Sequence, residues 1–254
     1  MSAHTIALLG KGGSAKTTTS AAVADAFARR GQRTLLVDLD VQTSLSDWLA
    51  PRDRAHDVRD VVLGQCTLED AGVALRDNLT LLPGIPDHVL LLERTIEARP
   101  RRREEVIAQW LSTVDDHYDV VILDTPRGLG GTLSLNALEA ADRVIVPLDP
   151  TGMGLEALRE LIALIEAVGE ERGNSALLAG VLPTRVTRTR MASMAIDAVS
   201  ERGWPLLTSI PSATAVAEAV TMRQLLWDYA PDSPAVEAYE AVTDQLQSAL
   251  REDT

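Results

Sequence analysis

The chain has 254 residues, 46% of them hydrophobic, and is long enough to bury a large core. Its net charge of -13 repels nucleic acid and anionic lipid, so binding to either requires a local basic patch or an assembly of copies. The sequence has no run of about 18 apolar residues, so we predict no membrane span. Its first residues are not basic, so we predict no signal peptide. The single cysteine, Cys66, excludes an intrachain disulfide and a cage of several thiolates, and it favours a reducing, cytoplasmic setting.

Apolar runs that predict strands alternate with amphipathic stretches that predict helices along the whole chain. The predicted strands are Thr5–Leu9, Thr34–Asp38, Leu79–Leu82, Val120–Asp124, Arg143–Pro147, Leu177–Leu182 and Leu206–Ile210. The predicted helices are Thr17–Arg30, Arg102–Val114, Leu155–Gly169, Met191–Arg202, Ala213–Met222 and Ala235–Leu250. This alternation predicts an α/β fold in which one domain, residues 1–254, has a mostly parallel twisted sheet with helices on both faces.

The first of three polar motifs is the segment Gly10–Thr18, "GKGGSAKTT", which follows the first predicted strand. It matches the phosphate-binding pattern G-x-x-x-x-G-K-[ST] except that Ala15 stands where glycine is usual. Backbone N–H groups of such a loop cradle phosphates, so we expect Lys16 to reach the β and γ phosphates and Thr17 to ligate Mg²⁺. A methyl group at Ala15 is tolerable at negative φ and costly at positive φ.

The other two motifs place carboxylates after the second and fourth predicted strands, at the edge of the sheet where ligands of parallel sheets bind. Asp38 and Asp40 end the run "LLVDLD", and alternation along a strand turns them to the same side. Asp124 ends the apolar run "VVILD", which has the Walker B pattern. One carboxylate of such a set holds Mg²⁺ through water and another orients the attacking water.

Lysine usage sets the phosphate loop apart from the rest of the chain. The 24 basic residues comprise 22 arginines and only two lysines, Lys11 and Lys16, and both lysines lie in this loop. A compact ammonium fits against a phosphate where a broad guanidinium is less suited. The placement therefore favours a role for both lysines in phosphate binding.

With these residues the sequence resembles the ParA/MinD group of P-loop ATPases. Lys11-Gly12-Gly13-x-x-Lys16-Thr17-Thr18 looks like the deviant Walker A box of that group. The resemblance implies an ATP-dependent sandwich homodimer in which Lys11 acts across the interface on the partner's nucleotide. It implies Lys11, Lys16 and Asp40 as catalytic residues and Mg²⁺ held by Thr17, Asp38 and Asp124. The implied ATP contacts are Lys11, Gly12, Gly13, Ser14, Ala15, Lys16, Thr17 and Thr18, with Thr184 and Arg185 bordering the adenine.

The resemblance extends over the whole chain and is most specific for short ParA proteins. Asp38–Gln42 is similar to the family's D-x-D-P-Q with Val41 in place of proline, which affects the stiffness of that loop and leaves the carboxylates in place. The segments "SLSDW" and "LPTRVTRTRM" are similar to ParA proteins without an N-terminal helix-turn-helix. The first strand begins at about Thr5, which leaves no room for such a motif before it.

ParA relatives bind DNA without sequence preference when they hold ATP. The expected phosphate contacts here are Arg185, Arg188, Arg190 and Arg223, with Arg202 as a neighbour. The alternative is a solvated loop before a helix. A basic amphipathic tail of the MinD kind is not expected, because the segment from Ala235 onward carries one cation, Arg251, against five acidic residues.

The resemblance therefore implies a cytoplasmic, nucleoid-associated ATPase that segregates a plasmid or chromosome with a small ParB-like or cargo-adaptor protein, without membrane binding. The cargo stays open, and a protein body such as a carboxysome is an alternative. A small-molecule ATP-dependent ligase on the same fold is a second class of function. A scaffold that binds ATP without hydrolysing it is a third, because of Ala15.

Overall fold

The structure is a computed structural model that describes residues 3–114, 116–128, 130–150 and 155–251. Its described part contains one seven-stranded sheet in the order β3-β4-β2-β5-β1-β6-β7, in which only β3 runs antiparallel. The strands are β1 His4–Leu8, β2 Thr34–Asp38, β3 Val73–Arg76, β4 Leu79–Leu82, β5 Val120–Asp124, β6 Arg143–Leu148 and β7 Leu178–Pro183. The predicted α/β class with a mostly parallel sheet is confirmed.

Helices cover both faces of this sheet. The described helices are α1 Lys16–Arg29, α2 Ser44–Leu49, α3 Val58–Val62, α4 Leu68–Ala71, α5 Pro86–Glu97, α6 Val106–Leu111, α7 Thr132–Ala140, α8 Leu155–Arg172, α9 Arg190–Glu201, α10 Thr214–Thr221, α11 Leu226–Tyr229 and α12 Pro234–Arg251. A 3₁₀ turn, Arg103–Glu105, precedes α6. No helix in the described ranges is long and apolar enough to cross a lipid bilayer.

Two apolar cores form because the central strands are buried on both faces. On one face α1 and α12 pack against the sheet around Phe27 and Tyr239, both almost fully buried. On the other face α5, α6, α7 and α8 pack around side chains such as Leu92 and Leu161. Continuous apolar strands such as β2 and β5 are the expected result of cover on both sides.

Two strand predictions need correction. Val73–Arg76 is a strand that the sequence analysis missed; it pairs antiparallel with β4 through a tight turn at Asn78, which has φ 63°. Leu206–Ile210 is not a strand: it touches β7 through a single bridge between Val181 and Leu206. Pro205, just before this segment, has no backbone N–H to donate. Leu207 N–H donates to the Val181 carbonyl oxygen at 2.9 Å and Ile210 N–H to the Pro183 carbonyl oxygen at 2.8 Å, but these separate hydrogen bonds do not continue into a regular ladder.

The helix predictions are correct for the long elements and incomplete for the short ones. Helices α1, α8, α9, α10 and α12 lie where the periodicity places them, within a few residues at each end. The predicted helix Arg102–Val114 is shorter, with an α-helical part only from Val106 to Leu111. Helices α5 and α7 and the short helices α2, α3, α4 and α11 were missed.

The fold brings the three polar motifs together. Strands β1, β2 and β5 are adjacent and parallel, so Leu8 pairs with Asp124 and Asp124 pairs with Asp38 at the carboxyl edge of the sheet. Because β3 is an additional strand, the third motif follows the fifth strand rather than the fourth. The predicted convergence of the three motifs is present.

Candidate nucleotide and metal site

The loop between β1 and α1 folds around the side chain of Lys16. This lysine is the first residue of α1 and is almost fully buried, and its ammonium donates to the carbonyl oxygens of Gly10 at 3.0 Å and Lys11 at 3.4 Å. Ser14 Oγ donates to the Lys11 carbonyl oxygen at 2.9 Å. The loop thus places one ammonium at a helix N-terminus, where backbone N–H groups and the helix dipole favour an anion such as phosphate.

Ala15 precedes α1 in a left-handed conformation, with φ 67° and ψ 29°. In this region the Cβ atom of an L-residue approaches a backbone oxygen, at a cost of roughly 1–2 kcal/mol that glycine avoids. Ala15 therefore has the positive φ at which we expect its methyl group to be costly. The loop geometry usual for glycine is kept, and the alanine carries the strain.

Asp124 ends β5 fully buried beside Lys16 and α1. Its Oδ1 atom accepts a hydrogen bond from Ser20 Oγ at 3.1 Å, whereas its Oδ2 atom is buried and has no hydrogen-bond partner among the described residues. Burial raises the pKa of Asp124 to about 7; nearby Asp38 adds to the rise, and the Thr17 hydroxyl and the Lys16 ammonium oppose it. A buried carboxylate oxygen with an open coordination position can accept a cation or its water.

Asp38 ends β2 in a different environment. Its Oδ2 atom accepts from the Ser46 backbone N–H at 2.9 Å and from Ser46 Oγ at 2.6 Å, and its Oδ1 atom accepts from the Asp40 N–H at 3.2 Å. Burial raises the pKa of Asp38 to about 6, although these hydrogen bonds oppose the rise. Asp38 therefore fixes the start of α2 to the end of the strand.

Asp40 lies buried at the same edge, close to Lys16. Burial lowers the pKa of Lys16, and the carboxylates of Asp124 and Asp40 partly oppose this lowering. Its Oδ1 atom accepts from the Gln42 N–H at 3.0 Å. Asp40 and Asp124 thus lie near one ammonium, and Asp38 lies beside Asp124 on the neighbouring strand. This oxygen-rich set, with the orphaned Oδ2 atom of Asp124, fits a hard divalent cation such as Mg²⁺. The assignment of Mg²⁺ to Thr17, Asp38 and Asp124 stays a prediction.

A cavity of about 360 Å³ opens beside the phosphate loop. Its walls include Ala15, Thr18, Thr184, Arg185 and Tyr239. Thr184 Oγ1 donates to the Ser14 carbonyl oxygen at 3.1 Å, which joins the end of β7 to the phosphate loop. The size and position of the cavity suit a nucleotide base, as predicted for Thr184 and Arg185, and Tyr239 on α12 is a wall residue that the sequence analysis did not find.

The arginines predicted to contact DNA have different environments. Arg188 and Arg190 are exposed, and neither has an ion-pair partner within the described ranges. Arg185 is 3.5 Å from the Asp149 carboxylate and lines the base cavity. Arg223 donates to the carbonyl oxygens of Asp47 at 2.6 Å and Ala50 at 2.7 Å, at the end of α2. DNA contact stays a prediction for all four, and the surroundings favour Arg188 and Arg190.

Three residues that position the site were not found from the sequence. Ser20, four residues after Lys16 on α1, faces Asp124, and Ser46 on α2 holds Asp38. Arg127 extends over Gly12: a Cβ atom added at Gly12 would be 2.9 Å from Arg127 Cδ. The position of Ser20, one helical turn after the phosphate-loop lysine, is a signal that could have identified it. Ser46 and Arg127 depend on loop geometry, which no spacing predicts.

The fold and the site define the class of protein: a P-loop ATPase with a deviant Walker A loop. Comparison with known proteins agrees, since residues 3–178 match the family described as AAA domain. One similar protein is the chromosome-partitioning ATPase Soj of Thermus thermophilus, which is 32% identical over 247 residues, or 95% of this chain and 94% of Soj. The chain belongs to the ParA/MinD family of P-loop ATPases.

Two further similarities bear on function. The maintenance of carboxysome distribution protein A of Synechococcus elongatus is 26% identical, over 82% of this chain and 85% of its own length. A Mycobacterium smegmatis protein named cobyrinic acid a,c-diamide synthase, solved with a bound ATP analogue and magnesium, is 31% identical. It superposes with a TM-score of 0.82 over 99% of this chain and 97% of its own. The ligands of that relative are those expected from the sequence.

Proposed function

We propose that this chain is a positioning ATPase that binds ATP with Mg²⁺, pairs with a second copy and binds DNA without sequence preference. Hydrolysis, stimulated by a small partner protein, separates the pair and releases it from DNA. The proposal places the protein on the nucleoid in the cytoplasm. Its main support is the site geometry, in which one buried lysine is held for phosphate binding and a second lysine of the same loop is exposed.

Each residue of the site has a role in this proposal. Lys16 holds the β and γ phosphates, and Thr17 with Asp124 holds Mg²⁺, with Asp38 behind them. When bound, Mg²⁺ neutralises charge on the phosphates. Asp40 orients the attacking water. Lys11 stabilises charge on the partner's transferring phosphate, as an arginine finger does.

The contrast between the two lysines supports the assignment of Lys11 to an intermolecular role. Lys16 points inward, where its ammonium donates hydrogen bonds to the carbonyl oxygens of Gly10 and Lys11, while Lys11 itself is exposed in the same loop. A lysine exposed at a phosphate site lies where a second copy that docks face to face would contact it.

DNA binding is supported by the pair Arg188 and Arg190, exposed just before and at the start of α9. The test measures binding to plain duplex DNA of unrelated sequences with ATPγS, with ADP and without nucleotide, over a range of salt concentrations. We expect binding with ATPγS alone, equal across sequences and weakening steeply with salt. Arg188→Ala with Arg190→Ala removes up to four phosphate contacts per dimer, so the slope of log K against log salt falls by up to about 4.

The chain offers a matched control in Arg101 and Arg103, which are also exposed and two residues apart. Replacing both of these by alanine removes the same charge and leaves the DNA affinity and the salt slope close to those of the unchanged protein. If both double variants lose the same amount of DNA affinity, the loss reflects net charge and not a contact by Arg188 and Arg190. Absence of DNA binding in the unchanged protein with ATPγS would overturn the proposal.

The proposal names the kind of cargo and not the individual cargo. The Soj similarity favours a plasmid or chromosome with a ParB-like partner, and the carboxysome-distribution similarity supports a protein body with an adaptor as the alternative. Stimulation of ATP turnover by the product of a neighbouring gene identifies the partner. A basic DNA-binding partner favours partition, whereas a shell or assembly protein favours organelle spacing.

A second candidate function is an ATP-dependent synthesis reaction on a small acid, and the similarity to the Mycobacterium smegmatis synthase favours it. Within the described ranges the site-side cavity is walled largely by apolar and hydroxyl groups, which suits a base better than a polycarboxylate. Mass spectrometry of a reaction with ATP, cobyrinic acid and ammonia separates the two candidates. An amide product would support the synthase and contradict the positioning function.

A further inference from the structure

A third cation lies at the phosphate loop besides Lys11 and Lys16. Arg127 is three residues after Asp124, in the loop that leaves β5, and the next residue, Gly128, donates its N–H to the Gly10 carbonyl oxygen at 3.4 Å. The aliphatic part of the Arg127 side chain lies on Gly12, where an added Cβ atom would be 2.9 Å from Cδ and 3.5 Å from Nε. The loop after β5 is thus packed on the phosphate loop through this side chain.

The charge of Arg127 has no partner in the described part of the chain that explains its position. No carboxylate there forms an ion pair with its guanidinium, although the chain has 37 acidic residues. The nearby carboxylates Asp40 and Asp124 act on Lys16, and burial lowers the pKa of Lys16 with Arg127 adding to the lowering. The positive charges of Arg127 and Lys16 repel each other, and an anion bound between them would offset this repulsion.

We propose that Arg127 is a catalytic residue whose guanidinium contacts the terminal phosphate of ATP bound to its own subunit. This inference rests on the proposed ATP hydrolysis. It adds a cation from the subunit that holds the nucleotide, Arg127, to the cation that Lys11 supplies from the second copy. A planar guanidinium matches two phosphate oxygens at once and stays protonated at every working pH. A side chain at Gly12 would displace the aliphatic part of Arg127 from its present position, because an added Cβ atom would be 2.9 Å from Cδ.

The chemistry needs no further reactant. Water attacks the γ phosphorus, the bond from that phosphorus to the β–γ bridging oxygen breaks, and ADP leaves with the electron pair. The products are ADP, inorganic phosphate and a proton released to solvent. Arg127 neither gains nor loses a proton; it stabilises the charge that spreads over the γ oxygens.

Nucleotide affinity tests the contact independently of turnover. Arg127→Ala and Arg127→Lys are compared by titration with ATPγS and with ADP, both with Mg²⁺, in the Lys11→Ala background so that the partner's lysine does not contribute. We expect Arg127→Ala to weaken ATPγS binding about tenfold with no change for ADP, because only ATPγS has the third phosphate. Arg127→Lys recovers part of the loss. Arg103→Ala, at another exposed arginine, changes neither affinity.

Turnover is the second readout, in the otherwise unchanged protein. Removal of one preorganised donor to a developing charge costs about 10²-fold in kcat, and this is the loss expected for Arg127→Ala. Unchanged ATPγS affinity, or equal weakening of ATPγS and ADP, would overturn the role of Arg127 whether or not the protein hydrolyses ATP. Absence of turnover in the unchanged protein would overturn the hydrolysis function instead, and the ratio of ATPγS to ADP affinity would still decide the contact.

Discussion

The ends of β5 and β2 carry the same residue type at paired positions, yet their surroundings differ. Asp124 and Asp38 are both fully buried, but Asp38 accepts three hydrogen bonds from Ser46 and Asp40, whereas one oxygen of Asp124 has no partner in the described ranges. An unpaired buried polar atom is costly and is usually explained by a ligand or a functional role. The difference separates a carboxylate kept for a ligand from one that mainly holds the loop after its strand.

Asp124→Asn tests this comparison with the largest expected effect. The amide removes the negative charge next to the proposed cation while keeping the size of the side chain. We expect Mg²⁺ affinity in the presence of nucleotide to fall by about 10–100-fold, as is usual when a group that orients a metal's ligands is lost. The free energy of unfolding without Mg²⁺ should stay equal or rise, because a buried charge with a raised pKa is removed. Magnesium titrations with a fluorescent nucleotide and urea unfolding measure the two quantities.

Asp38→Asn is the matched variant, and the comparison predicts the opposite balance. Its amide group would leave a donor facing the N–H or hydroxyl of Ser46, and an unsatisfied buried donor costs about 1–3 kcal/mol. We expect a loss of this size in the free energy of unfolding and a smaller change in Mg²⁺ affinity than for Asp124→Asn. If both variants lose Mg²⁺ affinity equally and neither is destabilised, the distinction between the two carboxylates is wrong.

The sequence predicts the phosphate side of this site well because the relevant geometry is local. Lys16 follows directly from its loop, and Asp38 and Asp124 follow from strand ends that a parallel sheet brings to one edge. The surroundings of each carboxylate were not predictable, since Ser46 reaches Asp38 from the short helix α2 and Ser20 reaches Asp124 from α1. The missed strand β3 has only half-buried or exposed side chains, so it lacks the apolar run by which the central strands were found.

The raised pKa values of the two carboxylates predict a pH effect on the protein without Mg²⁺ or nucleotide. Burial raises the pKa of Asp124 to about 7 and that of Asp38 to about 6, so the folded state holds protons that the unfolded state has released above about pH 4. Their contribution to stability is therefore full below pH 4 and is lost as the pH rises toward 7.

Other carboxylates, such as Asp119 beside Arg33, have lowered pKa values and change stability in the opposite direction, so the total effect is smaller. The difference between unchanged protein and Asp124→Asn isolates the contribution of Asp124. Urea unfolding at pH 5, 6, 7 and 8 should show the variant gaining stability relative to the unchanged protein as the pH rises toward 7. A constant difference across this range would contradict the raised pKa of Asp124.

The smallest expected effect concerns Ala15, the strained residue of the phosphate loop. Ala15→Gly relieves a left-handed conformation that costs an L-residue roughly 1–2 kcal/mol, and the extra freedom of glycine in the unfolded chain offsets about half of this. We expect a rise of about 1 kcal/mol or less in the free energy of unfolding. Ala163→Gly, at an exposed position inside α8, is the control and should cost about 1 kcal/mol. Opposite signs support strain at Ala15, and a loss in both variants contradicts it.

ATP turnover of Ala15→Gly decides whether the alanine also limits hydrolysis, as the scaffold alternative requires. Turnover that appears only in the glycine variant would favour a protein that binds ATP without consuming it.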